Sequence, residues 1–581
     1  MAASLKTAVR FLCYIGLMLT YFTIYAQNKT ANTYIYNSYG YGDTSRHFVL
    51  SQNGQQKLWS EDRNAGKRTI PGFAKETTYI DSDSIFYLMD FGNGDRYFTY
   101  WTHSSQQIEW DSVRVDATTM RYITSINSNR LEFEMSSRYG EDINPLTHYG
   151  KLPGVLVLYR RNGQVGLELS KVEKQKLKGK VINETLIPKE KGQPVSGREL
   201  NNIKQQKMIL TTRVFDKAQI HWGAETKHEK AVWNQVDLTQ AGYHLPFDTV
   251  IHFAGGTVVL KRMKMDTIPS HYQIFAELHQ QSNGDAYDRT GSIFVIPHEK
   301  IHSFFEGMAK DPDALPIFNG RDGEKYQGIL ATENYQPAVE LIRFFTPFGV
   351  HHFNDRLKLD GLEWEDEAYY KQEITDVALL LQGDVWIGAF IGNYDGGGHL
   401  VTLDLKAYPS SELWETNGQQ TAKVVPLFNT CNILEMAGQN YGKLFRKDSV
   451  TIHFNVPEGA KRIRLRYIST GHGGWDGGDE FNPKENEIFI DGQLRFTHTP
   501  WRCDCGRYRE WNPVSGNFWN GTSSSDYSRS GWCPGTATQP VYFNLSNLTP
   551  GEHTITVAIP LGEPEGGSFS HWNISGALII E

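Results

Sequence analysis

Arg462-Ile463-Arg464-Leu465-Arg466-Tyr467 alternates charged and apolar residues without a break. Successive side chains of a strand point to opposite faces, so this run predicts one buried face and one charged face. Just beyond it, the runs 487–490 and 493–496 flank Asp491-Gly492, a dipeptide that strongly favours a two-residue hairpin turn. His553-Thr554-Ile555-Thr556-Val557-Ala558-Ile559 alternates in the same way. Toward the N-terminus, strand-like runs recur at 46–50, 84–89, 96–101, 155–159, 249–253, 258–265, 292–296, 385–392 and 400–405, separated by Gly, Asn and Asp turns. Short strands at such spacing predict β-sandwiches or jelly rolls. Two stretches, 298–308 and 337–345, carry the apolar spacing of a helix and are expected as helical insertions into a β domain.

The 581 residues suffice for about three or four domains. With 13% aromatic residues, 54 glycines and only 21% charged residues, the composition excludes disorder, coiled coil and collagen. A net charge of −8 gives no support to nucleic-acid binding. Lys6 and Arg10 precede an apolar run over 11–25, which is short for a membrane span and ends at Ala26 before polar sequence. Residues 1–26 therefore read as a signal peptide cleaved near Ala26, and the mature chain as exported, either periplasmic or secreted, with no membrane span. Four cysteines follow: Cys431, Cys503, Cys505 and Cys533. An even number in an exported chain predicts two disulfides, and Cys503-Asp504-Cys505 lacks the ligand spacing of a zinc site. Residues 171–207 hold nine Lys, Pro188 and Pro194 and no sustained period, the pattern of a basic linker. It divides a β-rich domain at 27–207 from two further β units at 208–409 and 410–581.

No Walker loop, GxGxxG, HExxH or GxSxG is present. Acid, glycine and aromatic residues cluster instead in three loops. Gly284-Asp285-Ala286-Tyr287-Asp288-Arg289 precedes the strand at Ser292; as a pattern it also suits a turn closed by a surface salt bridge. The run from Thr470 to Phe481 has five glycines among twelve residues, around His472, Trp475, Asp476, Asp479 and Glu480. Such glycines would let a ligand approach the backbone, and a calcium loop is the rival reading, although the spacing is not that of an EF-hand. The third loop, Asp526 to Gly535, carries Arg529, Trp532 and Cys533. Sugar rings stack on aromatic faces and need planar polar partners, and hydrolysis needs an acid/base pair of carboxylates. The residues thus predict an exported β-protein that acts on, or binds, glycans.

The Thr470–Phe481 run, with Ser528-Arg529-Ser530-Gly531-Trp532-Cys533-Pro534-Gly535 and Val541-Tyr542, resembles the second domain of the bacterial peptide N-glycosidase F family. Asp285-Ala286-Tyr287-Asp288-Arg289 resembles the aspartate loop of that family's first domain, and Thr212-Arg213-Val214-Phe215-Asp216-Lys217 the start of its core. The resemblance covers about 208–581. The part before it resembles the N-terminal bowl-like domain of the longer members. It implies an all-β fold: two adjacent eight-stranded antiparallel jelly rolls, preceded by a β-rich domain. It also implies an amidase that cuts the bond between asparagine and the innermost N-acetylglucosamine of N-glycosylated proteins or glycopeptides, with no cofactor and no metal. A non-catalytic glycan-binding protein and an endo-acting glycosidase are the alternatives. A monomer is expected.

By the same resemblance, Asp288 and Glu480 are the catalytic carboxylates. Arg289, His472, Arg529 and Trp532 match positions that line the cleft, and Tyr287, Trp475, Tyr394 and Asp395 are expected beside them as further substrate contacts. Cys505 and Cys533 form a family bridge, which leaves Cys431 and Cys503 as the second pair. Shorter members carry another glutamate two residues before a Trp, where this chain has Gly392-Asn393-Tyr394. The lost side chain would leave room for a substituent on the innermost sugar, with Asp395 as the compensating carboxylate.

Overall fold

The computed structural model describes all residues except 1–29, 40–44, 63–73, 82–83, 92–94, 103–107, 178–191, 224–246, 269–271, 411–422, 475–476 and 563–569. The expected signal peptide, with Ala26, and Trp475 lie outside the described residues. No described helix is long and apolar enough to cross a membrane. The chain divides into two compact units, Met1–Met208 and Ile209–Glu581.

The first unit is built on one twelve-stranded sheet. Six strands, from Thr30–Ser38 to Arg96–Thr102, meander outward, and five more, from Asp111–Arg114 to Gln164–Lys176, meander back. The two halves join where Thr30–Ser38 pairs antiparallel with Gln164–Lys176. Tyr34, Tyr36, Val49, Phe133 and Val155 form its core. The expected linker is corrected here. Its first residues, through Lys176, finish the strand Gln164–Lys176, and its last part is the helix Gly197–Met208. Ser196 starts that helix with a reciprocal cap: its hydroxyl accepts from Glu199 N at 3.2 Å, while the Glu199 carboxylate accepts from Ser196 N at 2.8 Å.

The second unit holds two sandwiches. In the first, Leu210–Ile220, His399–Pro409, Tyr272–Ser282 and Ala368–Glu373 form one sheet. Val250–Phe253, Val258–Met265, Gly383–Ile391, Thr290–Val295 and Val339–Phe345 form the other, extended at its edge by Ala537–Thr538 from the second roll. The second roll has two four-stranded sheets, one centred on His571–Ile580 and Ile463–His472, the other on Gly551–Ala558 and Asn486–Ile490. Phe454, Leu465, Tyr467, Ile488, Ile555 and Trp572 fill the space between them. Asp491 and Gly492 both adopt positive φ, 51° and 74°, as a type I′ hairpin turn demands.

Residues 337–345 are not helical. Val339–Phe345 is an inner strand with all seven residues buried. A strand covered on both faces loses period-2 alternation, so its apolar residues fall by chance into helical spacing. Within 298–308 only Phe305–Ala309 begins an α-helix. The charged face predicted for 462–467 reaches solvent at Arg462 and partly at Arg464, but not at Arg466. Arg466 is buried, donates from Nη1 to Glu340 O at 2.9 Å and lies 3.4 Å from Asp376, so it ties the second roll to the first. Arg343 ties the rolls from the other side. Fully buried and paired with Glu340, it donates to Thr470 Oγ1 at 3.1 Å. Cys431, Ile433 and Leu434 of the second roll join the apolar cluster of the first. The seam between the rolls is therefore a packed interface crossed by buried ion pairs.

Candidate active site

The loop before Thr290–Val295 divides labour between its two aspartates. Asp285 is buried and organises the turn: it accepts from Tyr287 N at 2.9 Å and Arg289 Nε at 2.7 Å, and His399 Nε2 lies 3.8 Å away. Burial alone would raise its pKa, but His399 and Arg289 outweigh that and hold it at about 2. The salt bridge that the pattern allowed therefore forms, from Asp285 to Arg289. Asp288 is left to face the second roll, where Arg529 Nη1 stands 3.2 Å from its Oδ2.

The same Arg529 Nη1 also pairs with Glu480. The Arg529 side chain is only 1% exposed. Its Nη2 donates to Ser524 O at 2.8 Å, and its guanidinium lies 4.9 Å from the Phe481 ring and 4.4 Å from that of Trp532. Burial pulls Arg529 down to about 10, with the attraction of Asp288 offsetting only part. Burial likewise pushes the Asp288 carboxyl above its ordinary value; Arg529 and Arg289 oppose this without overcoming it. Such a carboxyl can take and return a proton at milder pH than a solvated one.

Trp532 and His472 sit behind this group rather than in its open face. Trp532 is 2% exposed, stacks on Phe345 at 4.1 Å and donates from its indole to Gly471 O at 3.0 Å. His472 is buried between Phe345, Trp532 and His571, with Nε2 2.8 Å from Thr470 Oγ1, and burial holds its pKa well below the ordinary value. Trp532 backs the Arg529 guanidinium directly, and His472 backs Trp532 through ring stacking.

The glycine-rich loop also reads differently in three dimensions. A Cβ on Gly478 would meet Gly473 O at 2.1 Å, and one on Gly471 would meet Asp479 O at 2.9 Å. At those positions the glycines let the loop fold onto itself. Asp479 is buried and accepts from Trp572 Nε1 at 2.8 Å. Ser530 N donates to Glu480 O at 2.9 Å, fastening this loop to the one that carries Arg529.

Cys505 and Cys533 are disulfide-bonded. The second expected pair does not form: Cys431 is buried and free, and Cys503 is exposed and free. Cys431 is used as a small apolar residue in the core at the seam.

Tyr287, 60% exposed, and Tyr394, 56% exposed, present their rings beside Arg289, whose guanidinium lies 5.0 and 5.4 Å from them. Asp395 does not fill the position left by Gly392. Its Oδ1 accepts from Gly397 N at 2.7 Å and Gly398 N at 3.0 Å, closing its own turn. The carboxylate found there is Glu435 of the second roll, whose Oε2 lies 3.2 Å from where a Cβ on Gly392 would stand. Glu435 accepts from Tyr394 OH at 2.5 Å, from Asn432 Nδ2 at 2.9 Å and from Tyr441 OH. Burial raises its pKa, with Tyr394 and Arg289 opposing. Its place beside Gly392 is set by the packing of one roll on the other, so nothing local in the sequence marks it.

Comparison with known proteins agrees with this layout. Residues 211–407 match the family model described as peptide-N-glycosidase F, N terminal, and residues 440–579 match peptide-N-glycosidase F, C terminal. Two crystal forms of PNGF-II are each 35% identical and cover 95% of this chain. The C2 form is covered over 98% of its length with a TM-score of 0.68, and the P21 form over 99% with 0.69. PNGase F, a glycosylasparaginase from Flavobacterium meningosepticum, is 17% identical over 64% of this chain and 96% of its own, with a TM-score of 0.41. A search of curated protein sequences finds no match.

Proposed function

Because the chain belongs to the peptide-N-glycosidase F family, we propose that it hydrolyses the amide between asparagine and the innermost N-acetylglucosamine of N-glycoproteins, releasing the intact glycan. The observation that carries this reading is the Arg529 guanidinium, which pairs with Asp288 of one roll and Glu480 of the other.

An amide is a weak electrophile, so its hydrolysis needs an activated water, a stabilised oxyanion and a proton for the leaving nitrogen. In this account ionised Asp288 takes a proton from water as the oxygen attacks the asparagine side-chain carbon. The resulting carboxylic acid returns that proton to the departing nitrogen. The products are aspartate and a glycosylamine, which then exchanges ammonia for hydroxide with solvent. Arg529 stabilises the negative charge that develops, while Glu480 fixes Arg529 and accepts from water or a sugar hydroxyl. Tyr287 and Tyr394 offer exposed rings to the substrate. Glu435 takes the position of the carboxylate that Gly392 lacks, which narrows the room left there for a substituent on the innermost sugar.

The enzyme is proposed to act after export, on glycoproteins outside the cytoplasm, and the N-terminal unit to restrict or guide access. Mass spectrometry of a digested glycopeptide tests the reaction. Aspartate in place of asparagine, with one heavy oxygen when the reaction runs in labelled water, identifies the amidase. A peptide that keeps one N-acetylglucosamine identifies a glycosidase, and an unchanged peptide a binding protein.

A further inference from the structure

Trp519 is 91% exposed, the most exposed large apolar side chain among the described residues. It stands at the tip of a tight turn: Gly521 N donates to Phe518 O at 2.8 Å, and Phe518 N to Thr522 O at 2.9 Å. Isolated exposed aromatics need no explanation, but this one is held on a rigid mount. Phe518 lies 4.1 Å from Tyr527 at a tilted angle and meets Phe481 edge-on at 5.1 Å. Asn520 Nδ2 donates to Tyr527 OH at 2.7 Å. At the base of the turn, Ser524 N donates to Gly516 O, and Ser524 O is the acceptor for Arg529 Nη2. Phe481, which follows Glu480, lies 4.9 Å from the Arg529 guanidinium. The turn is thus fastened to the Arg529 group by two independent routes, through Phe481 and through Ser524.

We infer that Trp519 is a stacking platform for a sugar ring of the substrate's glycan beyond the two innermost residues. The inference rests on the amidase reading. Trp519 follows Phe518, whose ring meets Phe481 beside the Arg529 guanidinium, so the exposed indole is carried on the same loop system as the proposed reacting group. A large flat side chain fixed in advance gives up little freedom on binding, and its face matches the apolar face of a pyranose. The contact is uniform in ground and transition state, so it acts on KM rather than kcat.

The test compares wild type, Trp519→Phe and Trp519→Ala on one peptide carrying either an extended N-glycan or only the two innermost N-acetylglucosamines. For Trp519→Ala, KM on the extended substrate is expected to rise about tenfold at unchanged kcat, with no change on the short one and partial rescue by phenylalanine. Equal losses on both substrates, no loss on either, or a loss that follows peptide length would overturn the inference. Calorimetry with the free extended glycan supplies a readout that does not need turnover. Affinity about tenfold weaker in Trp519→Ala sustains the platform, and equal affinity overturns it. If wild type hydrolyses neither substrate, the amidase reading fails, and the calorimetry still decides the platform.

Discussion

Glu435 Oε2 lies 3.2 Å from the point at which a Cβ on Gly392 would begin. A carboxylate of the second roll therefore occupies the surroundings of a glycine in the first. Gly392→Ala brings a methyl against that oxygen and against Phe390, also 3.2 Å away, and is expected to reduce turnover by about tenfold through displacement of Glu435. Gly392→Glu sets two carboxylates against each other and should cost on the order of 10²-fold or more. Glu435→Gln keeps hydrogen-bonding capacity with Tyr394 and Asn432 and should lose less than Glu435→Ala. Steady-state kinetics on one glycopeptide would check this order.

Asp285 gives a stability prediction. Its folded-state carboxyl is depressed from 3.8 to about 2 by His399 and Arg289, so its contribution is present above the ordinary carboxylate value and is lost as pH falls from about 4 to about 2. Asp285→Asn removes a buried partner of the partly exposed Arg289 and should destabilise the fold by roughly 2 kcal/mol at neutral pH. The loss should shrink toward pH 2. Circular dichroism melts across that range would show it, and an effect that grew on acidification would refute it.

The disulfide closes the segment that carries both Arg529 and Trp532. Cys533→Ser should cost about 3 kcal/mol and lower activity by loosening Arg529. Thiol labelling of the native, non-reduced chain lacking residues 1–26 should modify Cys503 alone, since Cys431 is buried. Denaturation without reductant should add Cys431, and only reduction should add Cys505 and Cys533.

Arg529 sets the pH behaviour of its neighbour. Its charge pulls the Asp288 carboxyl down against burial, so Arg529→Met should raise that pKa further. Ionised Asp288 is the active base, so the acidic limb of kcat/KM should move to higher pH, with a loss of about 10²–10³-fold at the plateau. An unshifted limb would separate Asp288 from the titration.

The parts of this fold that declared themselves in the sequence are those with one wet face. The 487–496 hairpin and Gly551–Ala558 alternate because one side meets solvent. Val339–Phe345 does not, because the second roll covers its outer side, and Arg466, read as part of a charged face, is buried against the first roll. In the site, Asp288, Glu480 and Arg529 stood out by loop composition and by resemblance. Which aspartate pairs with which arginine depends on the seam. Trp532 and His472 were readable as aromatic and polar but not as buried, and an even cysteine count could not say that Cys431 serves as core. Glu435 had no signal, since its neighbours come from the opposite roll.

The most direct test of the account is Asp288→Asn. An amide matches the carboxylate in shape but cannot shuttle a proton. The variant should fold, retain glycopeptide binding by calorimetry, and lose at least about 10³-fold in aspartate formation measured by mass spectrometry in heavy-oxygen water. A folded Asp288→Asn enzyme that converts asparagine to aspartate at the wild-type rate would contradict it.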